Sequence, residues 1–264
     1  MRYHFFVTVW DRVYVEKFIE FSVASQLWEG NLPALSSAAD LVYTVYTDRA
    51  SEPLFEQARA SLGRHVELRL RFFEDVPLGG DTLAQVMERS DPAILKHNVQ
   101  RTCACELLEE AAKDDDAAVI LLDSDFILSA GALSRLHELR LSGKQAVAAM
   151  FLRLAEESAV PLLRQACADG GGAGLAGAEL VAIVLRAMHP LARRFFVDED
   201  AFAPYPSQLN WRVGEDGFVT HCFFPHPLMV VPRATRYFST MDYEYMLRAV
   251  PDDDAIHLCR SSDE

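Results

Sequence analysis

Hydrophobic and polar positions follow two alternating patterns along the first 150 residues of the chain. Short apolar runs rich in β-branched and aromatic residues predict strands, and longer segments with apolar residues every three or four positions predict helices. The five predicted strands are residues 3–10, 41–47, 65–73, 117–122 and 145–151. Because strands and helices alternate, the pattern predicts an α/β fold with a central, mostly parallel sheet flanked by helices.

Capping signals mark where several of the helices begin. Asp11 is expected to cap the first helix, and Asp91-Pro92 places an N-cap before a proline at the start of a long helix that ends near Ala112. After residue 151 the alternation becomes irregular, with a glycine-rich loop predicted at 169–174 and a helix at 175–188. With no internal repeat and no clear linker, the whole chain is predicted to be a single domain.

Composition and charge narrow the classes of function. Half of the 264 residues are apolar, which predicts a sizeable core and excludes disorder and a disulfide-stapled small fold. The net charge of −14, from 25 basic and 39 acidic residues, offers no broad basic surface, so we expect no nucleic-acid partner. An anionic substrate must therefore be met by a few local cations or by a metal.

Cysteine usage and hydropathy bear on where the protein works. The five cysteines are irregularly spaced and no signal peptide is evident, which predicts a reduced, cytoplasmic setting. Cys103 and Cys105 are two positions apart in a predicted helix, where side chains diverge, so we do not expect them to share a metal. The longest apolar helical stretch, residues 175–192, contains charged residues and a proline, and no transmembrane segment is predicted.

The clearest candidate for chemistry is Asp123-Ser124-Asp125, directly after the most apolar predicted strand. Ligands of open α/β sheets bind outside the carboxyl ends of the strands. If strand alternation continues, Asp123 and Asp125 project to one side and Ser124 to the other. Paired carboxylates need a cation or a shared proton, and hard oxygen ligands suit Mg²⁺ or Mn²⁺ on a diphosphate. The alternative is a polar strand end in which one aspartate caps the helix that begins near Ala130.

A strand that ends in Asp-x-Asp, together with a strand that opens the chain, resembles the GT-A nucleotide-diphospho-sugar glycosyltransferases. The resemblance covers most of residues 3–151 in the order and type of elements, and its motif is Leu121 to Phe126. It implies a single GT-A-like domain over residues 1–264, in which 1–151 bind the nucleotide sugar and the metal and 152–264 form the acceptor side.

The resemblance also assigns roles to individual residues. Asp123 and Asp125 would form the metal centre, with Asp123 facing the ribose or a metal-bound water and Asp125 acting as the catalytic ligand on the sugar diphosphate. Thr8, Val9 and Trp10, at the end of the first strand, would receive the nucleotide, and the Trp10 ring could stack on uracil or another base. The alternative for Trp10 is a core aromatic residue at a strand end.

Local cations are the expected partners of the phosphates and sugar in so acidic a chain. Helical spacing brings several members of a cluster ahead of the acidic strand onto one face. The cluster is Lys96, His97, Gln100 and Arg101, and Arg12 is a further candidate. A solvated helix surface is the alternative for these residues.

The C-terminal half supplies further candidates. By the resemblance, His226 between two prolines would be a third metal ligand, with His221 as the weaker choice, and Asp242 would contact sugar or diphosphate. An inverting reaction would need a general base to deprotonate the acceptor hydroxyl. The candidate acids for that role are Asp198, Glu199, Asp200, Glu215 and Asp216. No spacing singles one out; Asp216 is carried forward as a catalytic candidate, although it also fits a simple turn.

Taken together, the sequence predicts a glycosyltransferase of hexosyltransferase type that depends on Mn²⁺ or Mg²⁺. It would use a nucleoside-diphosphate sugar, with a UDP-sugar favoured, and an unidentified glycan, protein or small-molecule acceptor. One alternative is a nucleotidyltransferase, which would prefer a glycine-rich basic loop that residues 7–12 lack. The other is a catalytically degenerate domain that acts as a binding or scaffold module.

Overall fold

The predicted α/β fold with a mostly parallel central sheet is confirmed in the computed structural model, which describes residues 1–76, 79–170, 173–215, 217–233, 243–262 and 264. The strands are β1 (Arg2–Thr8), β2 (Asp40–Thr47), β3 (Glu67–Phe72), β4 (Ala117–Leu121), β5 (Ala146–Ala149), β6 (Gln208–Val213), β7 (Gly217–Cys222), β8 (His226–Val230) and β9 (Ile256–Leu258). Seven of them form one sheet in the order β3-β2-β1-β4-β8-β5-β9. Within this sheet, as described, only β8 is antiparallel to its neighbours, β4 and β5. Strands β6 and β7 form a separate antiparallel pair.

Helices connect the strands and cover both faces of the sheet. They are α1 (Arg12–Lys17), α2 (Ala24–Gln26), α3 (Leu32–Leu35), α4 (Phe55–Leu62), α5 (Leu83–Met87), α6 (Pro92–Ala111), α7 (Ala132–Leu141), α8 (Glu156–Gly170), α9 (Gly177–Ala187), α10 (Pro190–Arg193) and α11 (Tyr243–Ala249). A π-helical turn, Phe18–Val23, joins α1 to α2. Within the described part of the chain, none combines the length and hydrophobicity needed to cross a bilayer.

The boundaries of α1 and α6 agree with the capping signals, whereas α8 departs from the prediction. Asp11 caps α1, with its side chain accepting a hydrogen bond of 3.0 Å from the backbone N–H of Val13. Helix α8 includes residues 169 and 170, which were predicted to be loop. Ala159 and Leu163 are buried in the same cluster as Trp28, so tertiary packing stabilises a helix that local propensity does not indicate.

The hydrophobic core lies on both sides of the sheet, which explains why β4 is an uninterrupted apolar run. Every residue of β4 is buried. On one face the rings of Phe5 and Tyr43 stack with centroids 5.2 Å apart. On the other face Leu107 of α6 and Met246 of α11 belong to a second buried cluster. The strand ends at the carboxyl edge are therefore held between two packed layers.

Side chains from the α2–α3 corner fix the irregular segment that follows the acidic motif. The Oγ of Ser25 accepts a hydrogen bond of 3.1 Å from the N–H of Leu128. Asn31 is fully buried, and its Oδ1 accepts from the N–H of Leu133 at 3.0 Å. Its Nδ2 donates to the carbonyl oxygens of Ser25 at 2.8 Å and Ser129 at 3.0 Å. These bonds tie the segment after the acidic motif to the α2–α3 corner, and the bond to Leu133 satisfies an N–H in the first turn of α7 that the helix itself cannot pair.

Candidate active site

The acidic motif lies at the carboxyl edge of the sheet, as predicted, but in a turn rather than on a strand. Strand β4 ends at Leu121, and the N–H of Leu122 makes a last bond of 2.9 Å to the carbonyl of Phe6 in β1. The N–H of Phe126 then donates to the carbonyl of Asp123 at 3.1 Å, which closes a turn around Asp125. The prediction that strand alternation orients Asp123 and Asp125 was therefore wrong, because the turn sets their directions.

The two carboxylates nevertheless influence each other. Asp125 reaches solvent, yet the protein atoms around it raise its pKa, and the nearby charge of Asp123 raises that pKa further. The positive charge of Arg153 acts in the opposite direction on Asp125. Asp123 accepts a hydrogen bond of 2.9 Å at Oδ1 from Nε2 of Gln100, on α6. Two carboxylates therefore lie at the same edge of the sheet, and their mutual repulsion costs free energy when both are ionised.

His226 lies beside this pair, and its ring is held on several sides. Its Nε2 is 3.1 Å from the carbonyl oxygen of Leu121, so Nε2 carries the proton of that hydrogen bond. Phe126 and Phe151 meet the ring edge-on at centroid distances of 5.0 and 5.3 Å. Burial lowers the pKa of His226, against the opposing effects of Asp123 and of the Leu121 carbonyl. His226 remains a predicted metal ligand, but only Nδ1 would be available for that role.

Replacing His226 with alanine is expected to lower the free energy of unfolding by about 2–4 kcal/mol, because a buried carbonyl loses its donor and two aromatic rings lose a packing partner. Urea denaturation measures this change. The matched control is His221→Ala, since His221 is exposed on β7 and contacts the ring of Phe223 at 4.9 Å. An equal loss in the two variants would contradict the structural role assigned to His226.

The end of β1, the strand that pairs with β4, contributes an exposed aromatic ring. Thr8 and Val9 are buried, whereas Trp10 is 39% exposed, so the alternative of a core aromatic residue does not apply to it. The Trp10 ring meets Phe73 edge-on at 5.5 Å. Asp11 follows with φ 67°, the one positive value among the described residues other than glycine. Strained backbone of this kind is concentrated at functional loops.

The predicted basic cluster is only partly gathered at the acidic turn. Gln100 touches Asp123, and Lys96 is exposed one helical turn before it, on the same face of α6. His97 is exposed and Arg101 is half-buried. Arg12 is exposed and pairs with Glu16 at 3.2 Å along α1. The roles of these residues in binding remain predictions.

The remaining candidates are spread over the C-terminal half. Asp198 and Glu199 pair with Arg212 at 3.2 and 3.3 Å, while Asp200 and Glu215 are exposed. Asp216 and Asp242 lie outside the described residues. No general base is singled out among the acids that the structure describes.

A cavity of about 310 Å³ opens at the carboxyl ends of β2 and β3, on the Phe73 side of Trp10. Two arginines line it, but both are neutralised. Arg49 lies 2.6 Å from Asp75, and Arg71 lies 2.7 Å from Glu106. The cavity is therefore not an open anion site.

The donor chemistry at the acidic turn fits a hard divalent cation. No group of three or more histidine, cysteine or acidic side chains arranged to hold a metal occurs in the described ranges. Mg²⁺ is commonly bound through one or two carboxylates, with waters and substrate phosphates as the other ligands. Asp123 and Asp125 supply two carboxylates, and a cation would relieve both the desolvation and the repulsion from Asp123 that raise the pKa of Asp125.

Two features of the site were missed by sequence reasoning. Arg153, just after β5, acts electrostatically on Asp125. Phe126 and Phe151 stack with centroids 3.6 Å apart and join the segments that follow β4 and β5. The sequence contains one indication of these two features: a predicted strand ended near residue 151, and ligands of α/β sheets bind beyond strand ends.

Comparisons with known proteins give structural similarity alone. No protein family and no curated protein matches the chain. The apo form of mouse xyloside xylosyltransferase 1 is 11% identical over 62% of this chain and 59% of that chain, with a TM-score of 0.37, so the match spans less than two thirds of that protein. The 4-diphosphocytidyl-2C-methyl-D-erythritol synthase of Anaerococcus prevotii DSM 20548 is 11% identical over 100% of this chain and 89% of that chain, with a TM-score of 0.41. With TM-scores this low, neither similarity assigns a function to the chain.

Proposed function

We propose that the chain is a glycosyltransferase of GT-A type that uses Mn²⁺ or Mg²⁺ to move a sugar from a nucleoside-diphosphate sugar to an acceptor hydroxyl. A UDP-sugar is the favoured donor. The acceptor would be a glycan, a protein or a small molecule.

One observation carries this proposal: Asp123 and Asp125 follow β4 at the same edge of the sheet at which β1 delivers the exposed Trp10 ring. Because β1 and β4 are neighbours and neighbouring strands are about 5 Å apart, we expect the aromatic surface and the acidic pair to lie within the span of one nucleoside diphosphate. The nucleotide base would stack on Trp10 at the end of β1, and the diphosphate would lie near the carboxylates that follow β4.

In this proposal the residues of the site have separate chemical roles. Asp123 and Asp125 would hold the cation, which would offset the charge of the leaving diphosphate. Gln100 restrains Asp123 through its hydrogen bond of 2.9 Å. The bond from the anomeric carbon to the phosphate oxygen breaks with its electron pair left on the diphosphate. The acceptor oxygen bonds to that carbon, and its proton passes to a base.

Thermal unfolding in the presence of nucleotides tests the proposal. UDP, GDP, CDP and dTDP would each be added with and without Mn²⁺, because a ligand that binds only the folded state raises the melting temperature. At about one hundred times the Kd, we expect one nucleotide to raise Tm by about 5 °C or more, and to do so only with Mn²⁺.

The same experiment separates the alternatives. A flat response across all four nucleotides would contradict the proposal and favour a scaffold domain. If a nucleotide binds, the product released during turnover is informative: a nucleoside diphosphate supports glycosyl transfer, whereas pyrophosphate from a nucleoside triphosphate would indicate a nucleotidyltransferase.

A further inference from the structure

A second strand end reaches the acidic turn from the opposite side to Trp10. Strand β8 runs antiparallel to both β4 and β5, so the carboxyl ends of β4 and β5 lie at one edge of the sheet. Phe126 and Phe151 stack across the gap between them. Asp125 directly precedes one ring and Arg153 follows the other by two residues, so the two charged groups flank the same aromatic pair.

The backbone of Arg153 is fixed while its side chain is exposed. Its carbonyl accepts a hydrogen bond of 2.9 Å from the N–H of His189, and the next residue, Leu154, forms a β-bridge with Met188. The exposed guanidinium makes no ion pair with any described residue, although its charge acts on Asp125. By contrast, Arg164 on α8 pairs with Glu20. An arginine on fixed backbone beside an acidic pair is available to a ligand.

We propose that Arg153 binds the terminal phosphate of the donor's diphosphate, opposite the carboxylates of Asp123 and Asp125. Arg153 would thereby favour binding of a diphosphate together with the cation over binding of the cation alone. This inference rests on the proposed function. The guanidinium presents several N–H donors in a planar fork that matches phosphate oxygens. Arg153 would offset part of the charge left on the diphosphate when the glycosidic bond breaks.

Two binding measurements on one variant make the inference testable without turnover. Arg153→Gln is expected to weaken the binding of UDP in saturating Mn²⁺ by about 10- to 100-fold, because a charge-assisted contact to phosphate is lost. The same variant is expected to bind Mn²⁺ alone about threefold more tightly, because a positive charge near Asp125 is removed. Isothermal titration calorimetry measures both affinities, and changes of opposite sign are not expected from a loss of packing.

Two further variants serve as controls. Arg153→Lys keeps the charge without the fork, so it should keep the Mn²⁺ affinity of the native chain and recover only part of the UDP affinity. Arg59→Gln removes an exposed arginine of α4 that lies 3.6 Å from Glu56, and it should change neither affinity. If circular dichroism shows that Arg153→Gln does not fold, the partial loss of UDP affinity expected for Arg153→Lys becomes the deciding test.

The failures of this inference and of the proposed function are distinguishable. If the native chain binds Mn²⁺ and UDP but Arg153→Gln leaves both affinities unchanged, or weakens both, only the role of Arg153 is overturned. If the native chain binds no nucleoside diphosphate with Mn²⁺, the proposed function and this inference fall together.

Discussion

Replacing Asp125 with alanine is expected to abolish Mn²⁺-dependent nucleotide binding and to lower turnover by about a thousandfold, since a bound cation supplies several kcal/mol of charge stabilisation in such reactions. Calorimetry with Mn²⁺ and UDP, and release of the nucleoside diphosphate during turnover, are the measurements. The matched control is Asp115→Ala, because Asp115 is an exposed acid in the loop that leads into the opposite end of β4. Full retention of binding and turnover in Asp125→Ala would contradict the hypothesis that Asp125 belongs to a metal centre.

Removing the charge of Asp125 should also stabilise the protein in the absence of metal. Desolvation by the surrounding protein atoms and the charge of Asp123 raise the pKa of Asp125, so its ionised form costs folding free energy at neutral pH. The metal-free Asp125→Asn variant should therefore melt at a higher temperature than the native chain. This advantage should disappear as the pH falls through the raised pKa toward the ordinary range of a carboxyl group, where the native side chain becomes neutral. A lower melting temperature at neutral pH would contradict the electrostatic cost assigned to the pair.

Asn31→Ala is expected to lower the free energy of unfolding by about 3–5 kcal/mol, a larger loss than the one expected for His226→Ala. The reason is that the N–H of Leu133 would lose its partner, while the carbonyls of Ser25 and Ser129, which also accept from Trp28 and Ala132, would each lose a second donor. An unsatisfied buried group costs about 1–3 kcal/mol, and each further lost hydrogen bond costs about 0.5–1.5 kcal/mol. Urea or guanidinium denaturation measures the change.

The control for Asn31 is an asparagine with the same chemistry and no buried role. Asn98 is exposed on α6, so Asn98→Ala should change stability by no more than about 0.5 kcal/mol. Because the lost bonds fix the segment behind the acidic turn, Asn31→Ala should also weaken Mn²⁺ binding at temperatures at which it remains folded. A variant as stable as the native chain would show that these hydrogen bonds contribute little.

Much of the regular half of the fold follows from local patterns. The apolar runs at 41–47 and 117–122 became strands within one residue of the predicted bounds, because a buried strand has to be apolar along its whole length. Asp11 and the Asp91-Pro92 pair correctly predicted where α1 and α6 begin, because a capping residue acts only on the first turn of the helix that follows it. These features are predictable because the residues that cause them are adjacent in sequence.

The site could be predicted only in part, because its geometry depends on contacts between distant segments. The position of Asp123 and Asp125 followed from the strand before them, but their directions depend on a turn that a strand pattern does not indicate. The contact of Gln100 with Asp123 and the approach of Arg153 depend on how α6 and the end of β5 pack against that turn. The hydrogen bond from His226 to Leu121 likewise joins strands that the sequence alone did not show to be neighbours.

The insertion of β8 between β4 and β5 has a consequence for synthesis on the ribosome. Ile120 of β4 pairs with Met229, so a nascent chain that has not yet emerged beyond β8 leaves the most apolar strand with an uncovered edge. Exposed apolar edges pair readily with other chains. A fragment that stops after residue 151 is therefore expected to be a client for chaperones rather than an independent nucleotide-binding module.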